Sequence, residues 1–130
     1  MKNKLKWSVV LALIYLVLFM SAVKAAGVTD TNRIIHAVVM EASGEPYLAQ
    51  VGICAVIRTR GNSLVGIYGD KAKRYETQAV YAQVRKAWIE SATNDPTSGC
   101  RYFGGKIDDA YFKKLGKKPF LTIGNTRFYK

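Results

Sequence analysis

Apolar and polar positions divide the chain into blocks of different period. In the first block Ile34 and Val38 recur four residues apart, and Glu41 continues the stripe three residues on. Thr29 or Asp30 can cap this helix near Thr31, and Gly44 is a stop signal. A second helix follows in "PYLAQVGICAVIRTRG", with Pro46 suited to its first turn and Gly61 to its end. From Leu48 to Ile57 it is apolar nearly all round, which marks a helix at the centre of a fold. The stretch "GNSLVGIYGDKAKRY" has no period and reads as a loop. In "ETQAVYAQVRKAWIESA", Val80, Val84, Ala87, Trp88 and Ser91 share a face, while Arg85, Lys86 and Glu90 turn to water. "TNDPTSG" is a turn around the breaker pair Asp95-Pro96. "CRYFGG" has the look of a short strand. A basic loop, "KKLGKKP", then leads to "FLTIGNTRFYK", where strand formers surround Gly124-Asn125. The order of blocks predicts an α+β domain, helical first and closing on a small β-hairpin or sheet. No internal repeat appears.

The first 25 residues stand apart from this pattern. Lys2, Lys4 and Lys6 precede the apolar run "WSVVLALIYLVLFM", and "AVKA" closes with small side chains at the positions a signal peptidase reads. Residues 1–25 therefore read as an export signal cut after Ala25, leaving residues 26–130 as the domain. The run from Trp7 to Val23 is about 17 residues, the lower limit for crossing a bilayer, so a retained anchor is the alternative. Either reading places the domain outside the cytoplasm, in the periplasm, cell wall or medium.

Composition adds partners and redox context. The formal charge of the whole chain is +11, and +7 remains without Lys2, Lys4, Lys6 and Lys24. A basic exported domain is drawn to anionic surfaces, here the cell wall, phospholipid head groups or extracellular nucleic acid. Charge alone does not choose among these or mere solubility. The expected partner is the anionic wall, with no nucleic acid and with a membrane met only through an uncleaved N-terminal segment. Two cysteines outside the cytoplasm suggest one disulfide, Cys54–Cys100; two separately buried thiols are the alternative, since Cys54 sits in an apolar run. Two cysteines and the single His36 are too few for a structural zinc site, and no metal or other cofactor is expected.

Two carboxylates carry the chemistry of "EASGE". On its stripe Glu41 occupies a place expected for an aliphatic side chain. A buried carboxyl without partners tends to stay protonated, and a protonated carboxyl near neutral pH can donate to a glycosidic oxygen. The alternative is a carboxylate that caps backbone amides or pairs with Arg58 or Arg60. Glu45 precedes a proline and is expected at the N-terminus of the second helix, where negative charge is favoured. Its spacing from Glu41 does not give the carboxyl separation that would tell retention from inversion. Tyrosines such as Tyr47 and Tyr102 can stack on sugars, though most will be half-buried core. No serine–histidine–aspartate order and no phosphate loop appears; "GGK" at 104–106 lacks the flanking elements.

At these residues the chain resembles the SleB-type cell wall hydrolases, the spore-cortex-lytic enzyme family. "MEASGEPYLAQVGICAVIRTR" is similar to that family's E-A-x-G-E helix end and the G-Q-x-A-V-A-x-V-x-x-N-R helix after it. "NDPTSGCRYFGG" resembles its D-P-T-x-G-A-x-Y-F segment, and "TIGNTRFYK" its closing I-G-x-H-x-F-Y segment. The three matches keep their order and span most of residues 34–130. The resemblance implies a small lysozyme-like, lytic-transglycosylase-like fold. It implies cleavage of the β-1,4 bond between N-acetylmuramic acid and N-acetylglucosamine in peptidoglycan, with Glu41 as the acid that then serves as base. Glu45, Tyr47 and Tyr102 are the candidate substrate contacts. Thr59 stands where the motif has asparagine, Thr126 where it has histidine, and the 62–75 segment is shorter and more basic than the family's loop. A non-catalytic wall-binding protein and a membrane-anchored lysis factor of the same fold are the rival readings.

Overall fold

The protein, seen in a computed structural model, is described over residues 30–67 and 77–130, together with Ile14. The export or anchor segment of residues 1–25 and much of the loop after Gly61 lie outside the described residues. Among the described residues three longer helices precede the sheet: α1 (Thr31–Ala42), α2 (Tyr47–Thr59) and α3 (Gln78–Glu90). Strand β1 (Tyr102–Gly104) follows. A 3₁₀ turn at Lys106–Asp108 then runs into a short helix, α4 (Asp109–Lys114), and the chain closes on β2 (Leu121–Ile123) and β3 (Thr126–Tyr129). The architecture is α+β, as the pattern predicts. Among the described residues no helix is long and apolar enough to cross a membrane.

Local signals set the helix ends. The Asp30 side chain accepts from the amide of Asn32 at 3.0 Å and caps α1. Thr77 caps α3 by accepting from the Val80 amide at 3.2 Å. Pro46 is the N-cap of α2 rather than a residue of its first turn, and Arg60 is the C-cap, with Gly61 beyond it at φ +68°. The central helix is as buried as its composition predicts, every residue from Ala49 to Ile57 being removed from solvent, although Leu48 is exposed. Ile34, Ile35, Val38 and Val39 of α1 and Val84, Ala87 and Trp88 of α3 close the core around it. Arg58 ties α2 to α3: its guanidinium lies 3.7 Å from the Trp88 ring centroid and donates to Ser91 Oγ and the Trp88 carbonyl.

The sheet is antiparallel with β3 in the middle, in the order β1-β3-β2. Ile123 faces Thr126, so the loop is two residues long, and Gly124 takes it with φ +59°. Phe128 and Tyr129 are buried on opposite faces of β3. Phe128 reaches α2 at Gly52. A Cβ there would sit 2.7 Å from Phe128 Cζ and 3.1 Å from Thr97 Cγ2, so only glycine lets the sheet dock this closely. On the other face Tyr129 stacks on Phe112 of α4, centroids 3.9 Å apart.

Two expectations change here. Helix α4 falls mostly on residues 109–112, to which the pattern assigns no element, and ends on Lys113 and Lys114 of the expected basic loop; Asp109 at its start, the two lysines at its end and Gly116 beyond were the available signals. The Cys54–Cys100 bridge is not formed: both residues are buried free thiols. Each serves as a small apolar residue of the core, which already packs without a cross-link. Burial pushes the Cys54 thiol up to about 12 and also raises that of Cys100.

Candidate functional site

The stretch "EASGEP" joins α1 to α2, and the structure gives its two carboxylates different positions. Glu41 lies on the last turn of α1 and is exposed. The buried stripe of α1 runs through Ile34, Ile35, Val38, Val39 and Ala42, and at helical spacing Glu41 sits about a quarter turn from its centre. Glu41 is therefore not at the buried position its stripe predicts; it stands at the edge of the stripe and is exposed.

The turn beneath Glu41 is fixed from inside. Gln50, fully buried on α2, donates from Nε2 to the carbonyl of Ala42 at 2.9 Å. Its Oε1 accepts from Gln83 Nε2 of α3 at 2.8 Å. One amide thus joins all three helices at the residue next to Glu41. A buried amide so satisfied has one low-energy arrangement, which holds the C-terminal end of α1 in place. In the sequence reading Gln50 has no role of its own, although it falls on the glutamine of the resembled G-Q motif and is a lone amide inside an otherwise apolar run.

Glu45 does not serve the N-terminus of α2 with its side chain. Its Oε2 accepts instead from the backbone amide of Asn125 at 3.0 Å, 80 residues away in the β2–β3 turn. Gly124 packs so closely that a Cβ there would come within 2.7 Å of Glu45 Oε2 and 2.6 Å of Pro46 Cδ. Glu45 and Pro46 are the latch between helices and hairpin, and the hairpin tip is held beside the turn that carries Glu41.

Tyr47 belongs to a different cluster. Its hydroxyl donates to Glu90 Oε2 at 2.6 Å, and Asn94 donates to the other oxygen at 3.0 Å. Desolvation, with the nearby Glu90 carboxylate, pushes the Tyr47 hydroxyl up to about 12. The same hydrogen bonds from Tyr47 and Asn94 hold Glu90 below the usual carboxylate range. Glu90 thus has protein partners where the pattern turned it to water. An open cavity of about 430 Å³ lies here, lined by Tyr47, Ala82, Gln83 and Lys86, with Lys86 Nζ 5.7 Å from the Tyr47 centroid. Through Gln83 and Gln50 this wall is hydrogen-bonded to the end of α1.

Tyr102, the remaining tyrosine candidate, is part-exposed on β1. Its ring tilts against Phe112 with centroids 6.2 Å apart, and Lys117 Nζ lies 4.8 Å from its centroid. Its ring partners therefore lie on the sheet side. Of the three departures from the motif, Thr126 is buried at the start of β3, Thr59 is exposed at the end of α2, and much of the 62–75 segment lies outside the described residues. The "DPT" turn is structural. Asp95 Oδ1 accepts from the amide and hydroxyl of Thr97 at 2.8 and 2.6 Å, and Oδ2 from the Gly99 amide at 2.8 Å. That turn sets Thr97 under Phe128 and leads into β1.

No protein-family model matches the chain, and no curated protein matches it. Solved structures do. The catalytic domain of the Bacillus cereus SleB protein is 26% identical with a TM-score of 0.54, over 74% of this chain and 85% of that one. The catalytic domain of the germination-specific lytic transglycosylase SleB from Bacillus anthracis is 25% identical with a TM-score of 0.53, over 74% and 89%. The chain carries a SleB-like domain, a small α+β fold of the lysozyme-like kind.

Proposed function

We propose that this SleB-like domain is an exported enzyme that cleaves the glycan strands of peptidoglycan, with Glu41 as its general acid and base. The observation that carries the reading is the likeness to two SleB catalytic domains over 74% of the chain, one of them named a lytic transglycosylase. The three ordered motifs support it, and so does the place of Glu41 on a turn fixed by Gln50 and flanked by the hairpin that Glu45 holds.

The bond cut is the β-1,4 link between N-acetylmuramic acid and N-acetylglucosamine. Glu41 gives its proton to the leaving oxygen as that bond breaks. It then takes a proton from the incoming hydroxyl, either water or the muramic 6-hydroxyl, the latter closing a 1,6-anhydro ring. Glu41 is exposed and open to a strand, and a bound strand adds surroundings that exclude water and favour a protonated carboxyl. Glu45 positions the hairpin, while Tyr47, beside the cavity, and Tyr102 are the aromatic surfaces offered to sugars. Residues 1–25 direct export, either removed after Ala25 or kept as an anchor.

Digestion of purified peptidoglycan, followed by mass spectrometry, tests the reading. Muropeptides with 1,6-anhydro ends mark transglycosylation, and reducing muramic ends mark hydrolysis. Wall binding without any new ends would instead favour the non-catalytic binder.

A further inference from the structure

The segment from Lys106 to Phe120 exposes a cluster of large apolar side chains and lysines. Ile107, Tyr111 and Leu115 recur four residues apart through the 3₁₀ turn and α4, and they are 83%, 62% and 54% exposed. Tyr111 and Leu115, four apart at the end of α4, share a side of that helix, and Ile107 stands exposed in the 3₁₀ turn just before it. The sheet side of α4 carries Phe112, buried against Tyr129.

Both acidic residues of the segment are half-buried and have partners within the domain. Asp108 Oδ2 accepts from the Gly105 amide at 2.8 Å. Asp109 Oδ1 accepts from the Tyr129 hydroxyl at 3.1 Å and pairs with Arg127 Nε at 3.0 Å. The lysines remain outside: Lys106, Lys113, Lys114 and Lys118 are all exposed. The segment thus exposes the large apolar side chains of Ile107, Tyr111 and Leu115 together with four lysines, while its two carboxylates are engaged by partners of the domain.

We propose that this face docks the domain on an anionic lipid bilayer. Ile107, Tyr111 and Leu115 enter the headgroup–acyl boundary while the lysines meet the lipid phosphates. Two aliphatic side chains in the cluster are what decides for lipid over glycan. A sugar ring stacks on an aromatic face and hydrogen-bonds, whereas Ile107 and Leu115 gain from leaving water for hydrocarbon. This surface is independent of Glu41 and of the peptidoglycan reading.

The test uses the full chain with Leu115→Cys bearing an environment-sensitive fluorophore. Cys54 and Cys100 are buried and stay unlabelled in the native protein. A label at residue 115 reports this face even where the N-terminal segment also holds the vesicle. On phosphatidylcholine vesicles containing phosphatidylglycerol its emission should shift to the blue, less so at high salt. The shift should require roughly tenfold more lipid or more in the Ile107→Ser, Tyr111→Ser chain, since binding scales with buried apolar area. A Glu41→Gln chain should respond like the parent. The proposal is overturned if the label stays water-like on anionic vesicles, or responds equally to phosphatidylcholine alone. It is equally overturned by a shift present without vesicles, which points to a second copy or the chain's own N-terminus, and by a shift given by purified peptidoglycan in place of lipid.

Discussion

Around α2 the interior is aliphatic and nearly seamless, with Val51, Ile53, Val56 and Ile57 packed against Ile34, Val38 and Val84. Around β3 the interior is aromatic, with Phe128 on one face and the Tyr129–Phe112 stack on the other, tied by hydrogen bonds to Asp109. The helical half can be held by non-directional burial, because each helix satisfies its own backbone. Strands of three or four residues bury too little to do the same, so the sheet half relies on directional contacts. The halves meet at two named places, Gly52 with Phe128 and Glu45 with Asn125. Glu41 stands beside the second. The difference teaches that the scaffold of the candidate site is aliphatic and rigid, while its second wall is a small hairpin latched by one carboxylate.

Glu41→Gln tests whether the catalytic part belongs to the helical half. Cleavage of peptidoglycan should fall by roughly 10²- to 10⁴-fold, the usual contribution of a positioned proton donor, while the denaturant midpoint holds. Near-normal cleavage by Glu41→Gln, with cleavage abolished in Glu45→Gln, would reverse the roles assigned within "EASGE".

Gly52→Ala probes the aliphatic–aromatic seam. A central helix gains about 0.5–1 kcal/mol from such a change where space allows. Here the new methyl meets the buried Phe128 ring, with Thr97 on its other side. Overpacking of this kind costs about 1–3 kcal/mol, so the net change should be a loss of stability in urea unfolding. A gain in stability would mean that the two halves slide freely at this contact.

Glu45→Gln loosens the latch. A neutral amide oxygen still accepts from Asn125, but more weakly than a carboxylate, and the loss should be about 1 kcal/mol. Hydrogen exchange of the Asn125 amide should rise more than that of the α2 amides. Equal increases in both would show that Glu45 supports the whole fold and not the hairpin alone.

The smallest effect concerns pH and the turn before β1. Burial raises the Asp95 carboxyl, but the hydrogen bonds from Thr97 and Gly99 outweigh it and hold the group below its ordinary value. Its stabilising contribution is therefore complete above the unfolded carboxylate value of about 3.9 and is lost as pH falls through the folded one. Urea midpoints taken from pH 5 downward should decline less steeply in Asp95→Asn than in the parent chain. Parallel declines would place the acid sensitivity elsewhere, with Glu90 the next carboxylate to examine.

Much of this was written in local pattern. The cap of α1, the burial of Ala49–Ile57, the shared face of Val84, Ala87, Trp88 and Ser91, and the two-residue turn at Gly124 all depend on neighbours within a few residues. Helical period and turn chemistry act at that range, so the chain alone determined them, along with the α+β class and the motif resemblance. Contacts between distant segments were decided only on folding. Glu45 finds its partner 80 residues away, and Gln50 joins three helices through an amide that no period announces. Glu41 left its stripe because the stripe's true centre depends on which helices pack against α1. The two thiols stayed apart for a related reason: even cysteine count and compartment state what chemistry is available, while packing decides which sulfur atoms meet.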